Sequence, residues 1–392
     1  MKPLRIAHIA DTHLGYRAIP KSDPATGRNQ RALDVERAYR AAVDDILTRN
    51  VDLVIHSGDV FHHSRPTWAA MRCFIRQTRR LEEAGLPVVV IAGNHDTARL
   101  RTAGSVFSVV DLALPRTHFA VGYQTESFPF DDLGLVVTAV PHGALTNPDP
   151  PMVFPAPEAR NILAVHGAIA NSDLIPAYRE AGETFIGDAL LDATFDYIAL
   201  GHIHQHARAT PNGWYSGAIE RFAWDDAEIT PGYALVTLNG GGEPPEVTHV
   251  PLPVRPFYRI DRLDGAGLTA RDIVDAVLAR LRVDATTDAM VRVQLLNTPR
   301  PIRREAESLL RRETAGLVWW IETTSPKDIA AGFERRTGGG PATDIVSLFD
   351  EFVQAGEYDD AFANVFRDRG RQALEDALRE AETTGGPEDA SA

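Results

Sequence analysis

The chain has 392 residues, 44% hydrophobic and 24% charged, an ordinary globular composition whose length predicts about two to three domains. Its 40 Lys and Arg against 54 Asp and Glu leave a net charge of −14. That balance excludes non-specific nucleic-acid binding through bulk charge, but not a phosphate substrate, because bound cations reverse the local sign. No apolar run approaches the ~20 residues that cross a bilayer. Met1-Lys2-Pro3-Leu4 leads directly into a strand-like segment without a signal-type apolar region. A cytoplasmic protein with no membrane partner is expected. The single cysteine, Cys73, reads as a small core residue.

In chain order, residues 4–10 form an apolar strand. Residues 30–50 have helical spacing, with Val35, Ala38, Ala42 and Ile46 along one stripe. Residues 51–57 read as a buried strand, 67–84 as a helix and 87–92 as a third strand. This β-α-β-α-β order predicts a layered α/β sheet with right-handed crossovers. Shorter strands follow at 135–140, 161–165, 195–200, 214–215, 233–238 and 247–250, which predicts a second sheet packed on the first. Three prolines within 251–256 mark a boundary. Beyond it, strands at 257–260, 290–296 and 317–322 alternate with helices at 269–281 and 302–313. The expected division is a main domain over 1–253, a small capping domain over 254–325 and a linker over 326–343, which contains Gly338-Gly339-Gly340-Pro341. A helical segment over 344–382 and a disordered tail over 383–392 complete the chain.

Five short motifs stand at the C-terminal ends of predicted strands, where open α/β sheets place their chemistry. They are Asp11-Thr12-His13, Gly58-Asp59, Gly93-Asn94-His95-Asp96, His166-Gly167 and Gly201-His202-Ile203-His204. The pooled donors are Asp11, His13, Asp59, Asn94, His166, His202 and His204. Carboxylates, imidazoles and an amide oxygen suit manganese, iron or zinc, and manganese is the expected ion. Seven ligands sharing one carboxylate fit two divalent ions about 3.5–4 Å apart, with Asp59 the natural bridge. The charge of two such ions outweighs the two aspartates and attracts a phosphate. His8 and His56 lie inside strands and read as core histidines, while His142 and His206 read as loop residues.

This motif set resembles the calcineurin-like metallophosphoesterase superfamily. The continuation Val60-Phe61-His62-His63-Ser64-Arg65-Pro66 after Gly58-Asp59 is similar to the second motif of the SbcD nuclease family. Asp11-Thr12-His13-Leu14-Gly15-Tyr16, Tyr215-Ser216-Gly217-Ala218-Ile219-Glu220-Arg221-Phe222 and Pro253-Val254-Arg255-Pro256-Phe257 resemble it too, with Ala218 where a Ser is expected. The resemblance implies a four-layer α-β-β-α metallophosphoesterase sandwich with a small α+β capping domain and C-terminal helices. It implies one metal on Asp11, His13, Asp59 and His204, and the other on Asp59, Asn94, His166 and His202. His95 would act near the leaving oxygen, and His62 would contact the scissile phosphate, with His63 its local rival.

The resemblance further implies a metal-dependent DNA exonuclease and endonuclease working at DNA ends in double-strand-break repair. Its partners would be a second copy, through the helices at 30–50 and 67–84, and an SbcC-like coiled-coil ATPase, through the C-terminal helices. Leu348, Phe349, Phe352, Val353, Phe362, Val365, Phe366 and Leu374 offer that ATPase an apolar surface. Arg65, Arg99 and Arg101 follow ligand motifs and are the expected contacts to DNA phosphates. Two other functions use the same motifs: a small-molecule phosphodiesterase or phosphatase, and a catalytically silent DNA-end scaffold.

Overall fold

The computed structural model describes residues 2–98, 100–149, 151–170, 184–191, 194–240, 242–284, 286–325, 349, 353 and 364–372. The chain begins with β1 (Leu4–Ile9), α1 (Gln30–Ile46), β2 (Leu53–His56), α2 (Trp68–Glu83) and β3 (Val88–Ile91). Next come α3 (Phe107–Val110), β4 (Thr117–Ala120), β5 (Glu126–Phe130), β6 (Leu135–Val140), α4 (His142–Leu145), β7 (Arg160–His166) and the short pair β8 (Ala168–Ile169) and β9 (Phe185–Ile186). The main domain closes with β10 (Tyr197–Gly201), β11 (Ala207–Arg208), β12 (Gly213–Tyr215), β13 (Gly232–Leu238) and β14 (Glu246–Pro251). No described helix is long and apolar enough to cross a membrane.

Two six-stranded sheets result, in the orders β14-β13-β1-β2-β3-β4 and β11-β12-β10-β7-β6-β5. Strands β1, β2 and β3 run parallel, as do β6, β7 and β10. These central strands are buried on both faces, which is why they read as continuous apolar runs rather than alternating ones. Ile6, Leu53, Ile55, Val89 and Ile91 of the first sheet meet Val137, Ile162, Ala164, Tyr197 and Ala199 of the second. The opposite face of the first sheet packs Ile9, Val54, Val88 and Val90 against Val35, Tyr39, Val43 and Phe74 of α1 and α2. Cys73 is buried in that layer, as expected, and burial pushes its thiol up to about 12. On the outer face of the second sheet, Leu163, Val165, Ile198 and Leu200 pack with Ala144 of α4, Leu190 and Phe195. Among the described residues this fourth layer consists of short helical pieces.

Helix α1 begins where expected but ends at Ile46 rather than at residue 50, and α2 is one residue shorter at each end than expected. Asn29 caps α1 and Thr67 caps α2, their side chains accepting the amide N–H of Ala32 and Ala70. Strands β4 and β5 were not expected. Both lie at sheet edges and carry mixed polarity, and β5 contains Pro129, which only an edge tolerates.

The capping domain is β15 (Phe257–Asp264), α5 (Ala270–Asp284), β16 (Met290–Leu296), α6 (Arg300–Glu313) and β17 (Trp320–Thr324). All three strands are parallel in sequential order, and Ile273, Val274, Val277 and Leu310 of the helices share one core with Val291 and Val293. Buried Arg255 in the proline-rich boundary anchors this domain, donating from Nε and Nη2 to Asp34 of α1 at 2.9 and 3.1 Å. Its guanidinium also lies 4.0 Å from the ring centre of Trp319. Burial raises the Asp34 carboxyl, but Arg255 and Arg31 outweigh it and hold the group below its ordinary value.

The linker over 326–343 and the tail over 383–392 lie outside the described residues. Of the expected C-terminal apolar surface, Phe349 and Phe366 meet edge to face at 5.5 Å, Val353 is buried and Val365 is exposed. Leu348, Phe352, Phe362 and Leu374 lie outside the described residues.

Candidate metal centre

The C-terminal ends of five strands from both sheets converge on one rim. β1 delivers Asp11 and His13, β2 delivers Asp59 and β3 delivers Asn94 and His95. From the second sheet, β7 ends on His166 and β10 leads into His202 and His204. The structure thus brings together all seven sequence-expected donors.

Asp59 stands at the centre. Its Oδ2 lies 3.6 Å from His13 Nε2 and its Oδ1 lies 3.5 Å from His166 Nε2. On the His13 side, His204 Nε2 approaches His13 Nε2 at 3.3 Å, and Asp11, His13 and His204 have donor atoms close enough to share one ion. On the His166 side, the Asn94 amide oxygen lies 2.9 Å from His166 Nε2 and 3.3 Å from His202 Nδ1. Each oxygen of one carboxylate therefore faces its own group of ligands, which is what a bridge between two cations requires.

The backbone pays special attention to these positions. Asp11, His13, Asp59 and His202 all have positive φ, at 51°, 41°, 52° and 105°, a conformation that non-glycine residues avoid and that clusters at functional sites. Gly93 and Gly201 supply the remaining room. A Cβ at Gly93 would collide with the Asp59 carboxylate and amide nitrogen, and one at Gly201 with the Ser57 carbonyl and the His166 ring. Gly93→Ala is accordingly expected to destabilise the protein by about 3 kcal/mol, at the upper end for overpacking, and to displace Asp59. A urea melt and a manganese titration read both effects; an unchanged midpoint with unchanged metal content would contradict the close approach.

Further groups fix the ligands. His166 Nδ1–H donates to the Ser57 carbonyl at 2.7 Å, and His204 Nδ1 lies 3.1 Å from both Asp226 oxygens, so each ring turns Nε2 toward the centre. Asp96 accepts the amide N–H of Val60, Phe61 and Gly93 at 2.9, 2.8 and 3.0 Å, tying the second motif to the third. The electrostatics suit cations. Burial raises the Asp59 carboxyl, but His166 and His13 outweigh it and hold it well below its ordinary value. Burial lowers His204 and His166, but Asp226 and Asp59 respectively outweigh it and raise each to about 9. Buried carboxylates that draw protons onto neighbouring imidazoles in this way also draw metal ions, which release those protons on binding. The donor set and its arrangement fit two divalent ions.

His95 and His62 lie beside the ligands. The His95 amide N–H donates to Asp59 Oδ1 at 2.9 Å, and its Nδ1–H donates to the His62 carbonyl at 2.9 Å, with no hydrogen bond to Nε2 among the described residues. The His62 ring stacks on His95 at 5.1 Å, and its Nδ1 lies 3.4 Å from His13 Nδ1. Burial, with His95 and His63 alongside, lowers His62 to about 4. His63 meets the His62 ring at a tilt, 4.5 Å between centres, and is exposed. Of the expected DNA contacts, Arg65 is exposed beside this cluster in sequence, and Arg99 lies outside the described residues. Arg101 donates to Asn147 at 2.8 Å and lies over the Tyr123 ring, so its guanidinium is already engaged.

His8 and His56 are core histidines, as expected, bonded to Tyr197 and Ser57, and to Thr12. His142 is half-buried with no hydrogen bond to Nδ1, and His206 bonds the Ser216 carbonyl. Ala218, in place of the expected Ser, is buried and donates its amide N–H to the His204 carbonyl. Sequence reasoning missed Asp226 altogether and gave Asp96 no role. Asp226 is a positioning residue, and Asp226→Asn is expected to weaken manganese binding by about 10–100-fold with the far-ultraviolet circular dichroism unchanged. Calorimetric titration measures this; equal affinity in both forms would remove Asp226 from the site.

Residues 4–206, just over half of the chain and including every donor, match the family model for calcineurin-like phosphoesterase. The chain is similar to the DNA double-strand break repair protein Mre11 of Haloferax volcanii, 28% identical over 74% of this chain and 61% of that protein. It is similar to the Mre11 proteins of Methanococcus maripaludis, 28% identical over 52% of each, and Sulfurisphaera tokodaii, 31% identical over 52% and 50%. The chain thus spans half to three fifths of the length of these relatives. A dimetal phosphatase structure from Danio rerio aligns with 63% of this chain and 98% of its own at 14% identity and a TM-score of 0.35. With the family model spanning the motifs and the motifs meeting on one rim, the chain belongs to the calcineurin-like phosphoesterase family.

Proposed function

We propose that the chain is a two-metal phosphodiesterase that cuts DNA at broken ends, the nuclease member of an assembly of the SbcC-SbcD kind. One observation carries the reading: the two oxygens of Asp59 face separate ligand groups, with His95 bonded to the same carboxylate. The similarity to proteins described as acting in double-strand break repair favours DNA as the substrate.

Asp11, His13, Asp59 and His204 would hold one divalent ion, and Asp59, Asn94, His166 and His202 the other, with manganese the proposed metal. When bound, such ions lower the pKa of a water and neutralise charge developing on phosphoryl oxygens. The protein's own contribution is position and a proton. His95, fixed through its amide and Nδ1, presents Nε2 where it can give a proton to the departing oxygen. His62, stacked on it, steadies the phosphate by hydrogen bonding.

The coiled-coil ATPase would dock on the segment 344–382, where Val365 offers apolar surface and Phe349 already packs on Phe366. A second copy would meet α1 and α2, where the apolar anchor is Trp68, 84% exposed. The assembly would work on DNA in the cytoplasm. The test is release of labelled nucleotides from duplex DNA in manganese, with and without the ATPase. Turnover of nucleotide monoesters with intact DNA under both conditions would overturn the proposal.

A further inference from the structure

Residues 219–229 run between the metal centre and the capping domain, and Asp226 is one of two side chains there that face ligands. The Phe222 ring meets His13 edge to face at 4.7 Å and His204 at 5.3 Å. It is buried and walls one side of the first ligand group. Asp226 faces His204 Nδ1 and also accepts the amide N–H of Phe222 and Ala223, at 2.9 and 3.1 Å. Phe222 and Asp226 are therefore tied into one turn, and that turn sets the rings of two ligands. In the second group, His166 is fixed by the Ser57 carbonyl, and the Asn94 oxygen lies against His166.

One short turn has few hydrogen bonds of its own, so what holds it from outside decides its position. Two elements do so. From α1, Arg31 is fully buried and donates from Nη2 to the Arg221 carbonyl. Its Nη1 pairs with Asp34 at 2.9 Å, and Glu220 lies 3.5 Å from Nη2. From the capping domain, Phe257 of β15 meets the Trp224 ring at 4.8 Å, and the Arg292 guanidinium of β16 lies 4.6 Å from its centre. Arg292 is itself fixed by Glu322 of β17, at 2.8 and 2.6 Å. Trp224 is half-buried and stands two residues from Phe222 and two from Asp226. A turn that served only to seat the capping domain would not need the partners of two metal ligands on either side of its tryptophan.

We propose that Trp224 is a positioning residue for the first metal site, with Arg31 its counterpart on α1. The capping domain grips the Trp224 ring and Arg31 grips the backbone at Arg221. Between them, Phe222 and Asp226 are held against His13 and His204. The inference rests on the two-metal reading above, and adds that a contact with the capping domain sets the affinity of one of the two ions.

The test is a manganese titration of the full chain, free manganese being read by its electron paramagnetic resonance signal. The wild type is compared with Trp224→Ala, Trp224→Phe, Arg31→Lys, Asp226→Asn and the double variant of Trp224→Ala with Asp226→Asn. Trp224→Ala is expected to weaken one of the two ions by about tenfold and to leave the other unchanged, the lower end for a residue that orients a ligand. Trp224→Phe keeps an aromatic face for Phe257 and Arg292 and is expected to restore most of that affinity. Arg31→Lys keeps the buried charge but loses the fork that reaches Asp34 and Arg221 together, and is expected to weaken the same ion. In the Asp226→Asn background, Trp224→Ala is expected to add less than about twofold, because most of its effect runs through that carboxylate. Trp224 is half-buried, and its variants decide the matter if Arg31→Lys does not fold. Unchanged affinity in Trp224→Ala, or full additivity with Asp226→Asn, would overturn the proposal. Equal weakening of both ions with a lower thermal midpoint would make Trp224 a structural residue and overturn it too. A wild type that takes up fewer than two ions would overturn the two-metal reading instead, and the proposal with it.

Discussion

Replacing Asp59 by asparagine is expected to lower phosphodiesterase turnover by at least about 10³-fold, more than the 10–100-fold typical when a residue merely supporting a ligand is lost. The amide has one acceptor oxygen where the carboxylate has two. Asp59 Oδ1 already accepts the His95 amide N–H at 2.9 Å and faces His166, so the asparagine oxygen is held there. Its NH2 then points toward His13, where Oδ2 stood 3.6 Å from Nε2. A donor replaces an acceptor in the group of Asp11, His13 and His204, and that group loses its ion first. Metal analysis and bis-p-nitrophenyl phosphate hydrolysis measured together separate the effects. Full turnover with Asn at this position would show that Asp59 bridges nothing.

The second large effect is His95→Ala, expected to slow DNA cutting by about 10²–10⁴-fold while leaving metal affinity unchanged. His95 holds Asp59 through its backbone amide, which alanine retains. The imidazole, hydrogen-bonded among the described residues to the His62 carbonyl through Nδ1, is what the variant removes. A substrate with an acidic leaving group, such as p-nitrophenolate, needs little help from a proton donor, so the loss should be smaller on it than on DNA. An equal loss on both substrates, or a loss of metal, would assign His95 a structural role.

The donor set was legible because each ligand lies within a few residues of a strand end, and the strands announce themselves as apolar runs. With β1, β2 and β3 adjacent in one sheet and β7 and β10 adjacent in the other, their C-terminal loops share one rim. The glycines at 58, 93 and 201 were legible as turns, but their closeness to ligand atoms belongs to the tertiary structure. Asp226 left no local signature. It follows His204 by 22 residues, and only the turn Trp224–Glu228 brings it under the ring. The docking of the capping domain was equally hidden, since Arg255 reaches Asp34 across 221 positions of sequence. Edge strands β4 and β5 escaped because one-sided burial and a proline weaken the pattern that marks a strand. The contacts of Arg101 with Asn147 and the Tyr123 ring likewise belong to the tertiary structure and left no local signature.

The central claim is that one carboxylate joins two cations, and manganese binding tests it most directly. Protein loaded with manganese is analysed for metal content and by electron paramagnetic resonance. Two ions per chain with an exchange-coupled signal, replaced by an uncoupled single-ion signal in Asp59→Asn, is the result expected. One ion per chain, or two that remain magnetically independent in the wild type, would contradict the bridge.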